Sequence, residues 1–207
     1  MQTKLAIAHR LLQLCMMRAI ILFALAALPL SAVAEEATLS AGYDFSDEKG
    51  GFRITHVSGL GTRSDPVILR AVVETEQPTT IVIRATRPIN PFAHPRTHST
   101  GTLHFAIETE NASGQPWVAA EFELQEIWRE PSVYGDGLSF DQRRVGASVF
   151  SASAFAEHRL DFEPYDRLLF RDGVIDPRAS GQFSLLVTDL TPAAEFFLQF
   201  DPQVPAM

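Results

Sequence analysis

Four aspartates stand in two short strings, VYGDGLSFDQ (133–142) and LLFRDGVIDP (168–177): Asp136, Asp141, Asp172 and Asp176. Two carboxylates facing each other across a cleft would hydrolyse a glycosidic bond, one as acid and one as base or nucleophile. The same oxygens would also suit calcium, which takes carboxylate and carbonyl ligands. Each string has a simpler reading as well. Asp before Gly closes a tight turn, because the short carboxylate bonds nearby backbone and Gly accepts positive φ. No EF-hand spacing accompanies the acids. Hydrolysis of a periplasmic glycan is therefore the alternative function, and calcium is the one cofactor with candidate ligands.

The histidines gather in His94-Pro95-Arg96-Thr97-His98, with His104 beyond. An H-x-x-x-H pair shares one face of a helix, yet Pro91 and Pro95 argue against a helix here. Closed zinc sites need three or four ligands, and no neighbouring acid completes a set. A second property of this region is its charge. From Gln77 to Ile107 there is no Asp or Glu, while Arg84, Arg87, Arg96 and three histidines fall inside. Arg84, Arg87, His94, Arg96 and His98 are thus candidate ligand-binding residues for an anionic partner, since a guanidinium fork pairs well with planar anions. The plainer reading pairs the arginines with strand glutamates such as Glu121 and Glu123.

Other chemistries lack their residues. No G-x-S-x-G elbow occurs. YGDGLSF superficially matches the GDS block of flat-sheet esterases, but Gly137 stands where the nucleophile belongs and no downstream Asp-x-x-His follows. The single cysteine is Cys15, inside the leader described next, which leaves no thiol for catalysis, disulfides or thiolate metal sites.

The chain opens with a basic region holding Lys4, Arg10 and Arg18, an apolar run from Ala19 to Leu30, and Ala32-Val33-Ala34. These are the parts of a secretory signal cleaved after Ala34. The run is too short to span hydrocarbon, which takes about 20 residues. Met16-Met17-Arg18 would open a compact signal by itself, so translation is expected to start at Met1 or at Met16/Met17. The expected product, residues 35–207, is periplasmic or secreted. Net charge is −8, and −11 once Lys4, Arg10 and Arg18 leave with the signal. That balance repels phosphate backbones and anionic membranes, so no nucleic-acid partner is expected.

The elements that must position these residues read as strands. PVILRAVVETE (66–76), TTIVIRATR (79–87) and GQFSLLVTDL (181–190) are β-branched or alternate, and AEFFLQF (194–200) makes a last strand before a proline-containing tail. TLHFAIETE (102–110) puts Leu103, Phe105, Ile107 and Thr109 on one face and Thr102, His104, Ala106 and Glu108 on the other. PINPFAHPRTHSTG (88–101) is a loop. VGASVFSASAFAEHRLDF (145–162) is ambiguous, with an Ala-rich middle suited to one helical turn. NASGQP (111–116) is expected to close a hairpin onto a strand containing Phe122 and Leu124. Asn111-Ala112-Ser113 matches a glycosylation sequon, though the turn explains all three residues. Trp117 shares the parity of Glu121 and Glu123, which implies a bulge or an exposed ring. Eight or so short strands with frequent turns predict a single all-β domain, an antiparallel β-sandwich of which the jelly roll is one form. The phenylalanines are expected to fill its core.

NASGQPWVAAEFEL followed by YGDGLSF resembles a pattern in small secreted proteobacterial β-sandwich proteins, in which an Asn–Gly turn precedes a tryptophan strand. Some of those proteins carry a PEP-CTERM sorting tail and are associated with extracellular polysaccharide. The resemblance covers residues 102–142. The chain ends FFLQFDPQVPAM, with neither the apolar helix nor the arginine cluster of that tail, so anchoring is not implied. What it implies is a secreted sandwich. Together these readings predict an exported, non-catalytic binding or structural protein whose partner is an acidic polysaccharide or another envelope protein.

Overall fold

The computed structural model describes residues 39–133, 135–141, 147–161 and 164–206. They belong to one compact unit, Ala37–Met207. The expected signal and its two alternative starts lie outside the described residues. No helix among the described residues is long and apolar enough to cross a membrane.

Among the described residues thirteen strands form two sheets. Chain order begins β1 (Leu39–Ser40), β2 (Tyr43–Ser46), β3 (Phe52–Ser58), β4 (Val67–Val73) and β5 (Thr79–Ala85). It continues with β6 (Thr102–Asn111), β7 (Ala119–Gln125), β8 (Leu138–Phe140) and β9 (Ser151–Ala152). It ends with β10 (Phe155–Asp161), β11 (Arg167–Gly173), β12 (Ser180–Asp189) and β13 (Glu195–Gln203). The first sheet runs β1-β2-β5-β13-β7-β11-β10, and the second runs β3-β4-β6-β12-β8, with β9 also beside β12. Among the described strands every pairing is antiparallel except β4 with β6, which is parallel. The expected all-β sandwich is therefore present, with that one parallel pair added. The jelly roll stays an expectation from strand spacing.

Parity explains the core. In β6, Leu103, Phe105, Ile107 and Thr109 are buried, while Thr102, His104, Ala106 and Glu108 are half-buried, as alternation on a strand with one packed face requires. Phe122 of the first sheet meets Phe183 of the second at 5.2 Å between centroids, and Phe45 meets Phe105 at 6.0 Å, both edge to face. Burying one such ring is worth roughly 1.5–3 kcal/mol, so these contacts clamp the sheets together. The ambiguous segment resolves into a single 3-10 turn (Ala147–Val149), then β9 and β10.

The turns depart from expectation in an instructive way. NASGQP joins β6 of the second sheet to β7 of the first, so it is a crossing between layers and not a hairpin. Asn111 is fully buried; its amide donates to the carbonyls of Gln115 (2.8 Å) and Ile175 (3.0 Å), and its Oδ1 accepts from the Ser113 hydroxyl (2.7 Å). A side chain so enclosed presents no nitrogen for glycan attachment in the folded protein. Trp117 lies ahead of β7, bridged to Ile175. Its ring is fully buried against Phe200, and its Nε1 donates to Ser113 Oγ at 3.1 Å. An exposed ring is thus ruled out; being outside the regular strand frees the residue from strand parity. Asp172-Gly173 is likewise no hairpin turn, since β11 and β12 lie in different sheets. The close hairpins are elsewhere: β1–β2, turned by Ala41 and Gly42 at φ 54° and 83°, then β3–β4 and β10–β11. The last strand also runs through Pro202. Pairing with β5 stops at Phe200 while pairing with β7 continues to Gln203, so the proline, which lacks an N–H, sits on a one-sided stretch.

Candidate functional site

An open groove lies along the outer face of the second sheet. Its floor is the half-buried side of β6. One section, about 390 Å³, is lined by Thr100, Thr102 and His104 together with Arg63 and Phe92. The next, about 220 Å³, is lined by His104 and Ala106 with Ser148, Ser184 and Arg63. Arg63 and His104 border both, so the two sections adjoin. From Thr102 to Ala106 the strand covers about 13 Å.

Two connections build the walls. The first follows β3, where Thr62 and Asp65 bond each other's backbone (3.0 and 3.2 Å) and hold Arg63 at the tip of a four-residue turn. Gly61 docks this turn on the floor, its carbonyl accepting the His104 N–H at 2.9 Å. A side chain at Gly61 would run into Leu103. The second wall is the proline-punctuated loop. It is stapled at its base by Ser99, whose hydroxyl donates to the Gly42 carbonyl at 2.5 Å and whose backbone exchanges with Pro88 and Asn90. Asn90 Oδ1 then accepts the Phe92 N–H at 3.1 Å, turning the chain so that Phe92 projects. Phe92 is 80 % exposed, whereas every other described phenylalanine is buried. Gly101 closes the loop where the backbone passes Asp189; its carbonyl accepts the Asp189 N–H at 2.7 Å, and a Cβ there would fall 1.9 Å from the Asp189 oxygen.

Electrostatically the groove is sparse. No Asp or Glu is among its described lining residues. Arg63 is exposed and has no hydrogen bond or ion pair among the described residues. His104 is held below the usual histidine range by burial and by the Arg63 charge, with Asp141 pulling the other way. It is therefore neutral at pH 7, offering one nitrogen donor and one acceptor.

The candidates from sequence fall out unequally. Arg84 is clamped: its Nη atoms donate to both Glu48 oxygens at 2.8 Å and its Nε to Glu195 at 2.5 Å. These hydrogen bonds push the Glu48 carboxyl down to about 2. The partners differ from the expected Glu121 and Glu123, which instead flank Arg167 at 3.7 and 2.7 Å. Arg87 donates to the Pro95 carbonyl at 2.8 Å and so braces the loop. His94 accepts the Arg96 N–H at 3.1 Å, and His98 bonds Thr97 at 3.0 Å. His94, Arg96 and His98 belong to the wall loop, but none lines the groove; Pro91, Phe92, Ala93 and Pro95 of that loop do.

The candidate aspartates are not confined to one sheet. Asp136 and Asp141 flank opposite ends of β8 in the second sheet, whereas Asp172 ends β11 in the first. Asp136 caps its own turn, accepting from Val133 N (2.9 Å) and Leu138 N (3.0 Å). Asp176 supplies its carbonyl to Ala179 N. No group of three His, Cys, Asp or Glu side chains placed to hold a metal occurs among the described residues.

Sequence reasoning missed Arg63 and Phe92. Phe92 carried a usable signal: it sits between Pro91 and Ala93, with no alternation to bury it. Arg63 carried none, because its place beside β6 depends on how β3 and β4 pair. No family model matches the chain, and no curated protein matches it at a significant level.

Proposed function

We propose that this is an exported, non-catalytic saccharide-binding protein, and that a segment of an extracellular or cell-envelope polysaccharide lies in the groove over β6. The observation that carries this reading is the wall of Phe92 beside a floor of hydroxyls and a neutral imidazole. Sugar rings offer an apolar face and a rim of hydroxyls. An exposed aromatic ring suits the first, and Thr100, Thr102, His104 and Ser184 suit the second. Two further features support it. The leader has the three parts of a secretory signal, and the groove is open at the surface, as a polymer passing through requires. Asp136 is engaged in capping its own turn through Val133 N and Leu138 N, which favours binding over catalysis.

Calorimetric titration with neutral and acidic oligosaccharides tests the reading. Phe92→Ala should weaken binding by roughly tenfold, the loss of one aromatic anchor, with the melting temperature unchanged because the ring is exposed. Absence of binding to any oligosaccharide at millimolar concentration, or equal binding by the variant, would overturn it.

A further inference from the structure

Resting on the saccharide reading, we infer that the groove is divided into two subsites by Arg63, and that Arg63 takes the carboxylate of a uronic acid residue at their junction. The ligand class is then a uronate-containing chain with uncharged sugar edges on either side.

The division follows from the lining. The first section has Phe92 and the threonine hydroxyls, and the second has Ser148, Ser184 and Ala106; only Arg63 and His104 border both. Successive outward positions on a strand are about 6.6 Å apart, so Thr102, His104 and Ala106 mark three steps along the floor with His104 in the middle. A chain laid along β6 brings one substituent to this middle step, opposite the guanidinium.

The charge assignment follows from what Arg63 lacks. Arg70, Arg84, Arg159, Arg167 and Arg171 each pair with a carboxylate of this chain within 2.9 Å. Arg63, like Arg53, Arg87, Arg96, Arg129 and Arg178, pairs with no carboxylate among the described residues, and of these only Arg63 lines the groove. A planar fork with free donors takes a carboxylate in two parallel hydrogen bonds. One unpaired cation between uncharged sections matches a single carboxylate per junction. A densely sulfated chain would meet no second arginine or lysine among the described lining residues.

A panel of uronate tetramers differing in ring stereochemistry, each with its carboxyl-reduced counterpart, tests this by calorimetry, with a sulfated neutral tetramer added. The parent should bind at least one uronate roughly tenfold tighter than its reduced form. Arg63→Ala should bring that ratio close to one, the loss falling mainly on the uronate. Arg63→Lys should leave an intermediate ratio, since an ammonium is a point charge and not a fork. If every uronate and its reduced form bind the parent equally, and Phe92→Ala weakens both, the carboxylate assignment fails while the saccharide reading stands. Tighter binding of the sulfated tetramer than of any uronate also overturns the assignment. If nothing on the panel binds, the saccharide reading and the assignment fail together.

Discussion

The two outer faces of this sandwich use the same residue types to opposite ends. On the first sheet, Arg84 is gripped by Glu48 and Glu195, and Arg167 lies against Glu123. Glu123 is further tied to Gln125 at 2.8 Å, and Trp128 carries Lys49 and Arg129 against its ring at 4.2 and 4.4 Å. There Arg84 and Arg167 are matched within the chain. On the second sheet, Arg70 finds Glu108 at 2.6 Å, but two steps along β6 the acids stop and Arg63 is left unmatched. A cation already forked by carboxylates holds strands in register; a cation left open beside an exposed aromatic ring is available to a ligand.

Gly101 joins the Phe92 loop to the floor of the groove. Gly101→Ala forces a Cβ onto the Asp189 carbonyl, and the backbone has to move. A loss of about 2–4 kcal/mol in urea unfolding is expected, at the upper end for single substitutions, with saccharide binding lost as well. Unchanged unfolding would mean that the loop is not packed as described.

Arg84→Ala and Arg63→Ala separate the faces directly. The first leaves Glu48 and Glu195 unmatched and should lower the melting temperature only slightly, since exposed ion pairs contribute little, without altering ligand affinity. The second should leave the melting temperature unchanged and alter only affinity. A reversed pattern would interchange the roles assigned to the two arginines.

Glu121 sharpens the picture of the first face. It stands directly opposite Asp201 across β7 and β13, and both carboxyls are pushed above the usual range by burial, with Arg167 opposing the shift and Glu123 adding to it. A carboxyl raised in the folded state favours folding below its unfolded pKa, and that advantage is lost as pH rises through the folded value. Glu121→Gln should therefore stabilise the protein at pH 7, by on the order of 0.5 kcal/mol for a relieved like-charge pair. The gain should shrink toward pH 4 in thermal melts. A gain independent of pH would point to packing instead.

The smallest effect belongs to His104. Its folded pKa lies below the unfolded value, so the unfolded chain takes up the proton first, and stability falls as pH drops from about 6.5 toward the folded value. The groups facing it are Arg63, which lowers the pKa, and Asp141, which raises it. His104→Gln should flatten that part of the stability profile by a few tenths of a kcal/mol. An unchanged slope would place the acid sensitivity elsewhere.

Much of the fold was legible in the sequence because it is local. Alternation over residues 102–110 decides which side of β6 faces the core, since side chains on a strand alternate whatever the strand pairs with. The same reasoning placed β4, β5, β12 and β13 and the loop between β5 and β6. It also marked residues 111–116 as a turn. What a turn joins is not local. NASGQP and Asp172-Gly173 have hairpin composition yet connect different sheets, because partner choice is set by how the two layers close over the phenylalanine core. Trp117 shows the same limit: strand parity would turn it outward, and a break ahead of β7 turns it inward. For the candidate site, sequence found the loop and its positive charge but not which residues face the groove. Arg84 was drawn into ion pairs by Glu48 and Glu195, distant in sequence from each other. Arg63, from an unremarkable turn, was carried beside His104 by the Gly61–His104 hydrogen bond. Composition and alternation thus determined the strands and their buried faces. Only the tertiary structure decided which arginine is neutralised and which is free, because ion pairing depends on distances between strands that the order of residues does not contain.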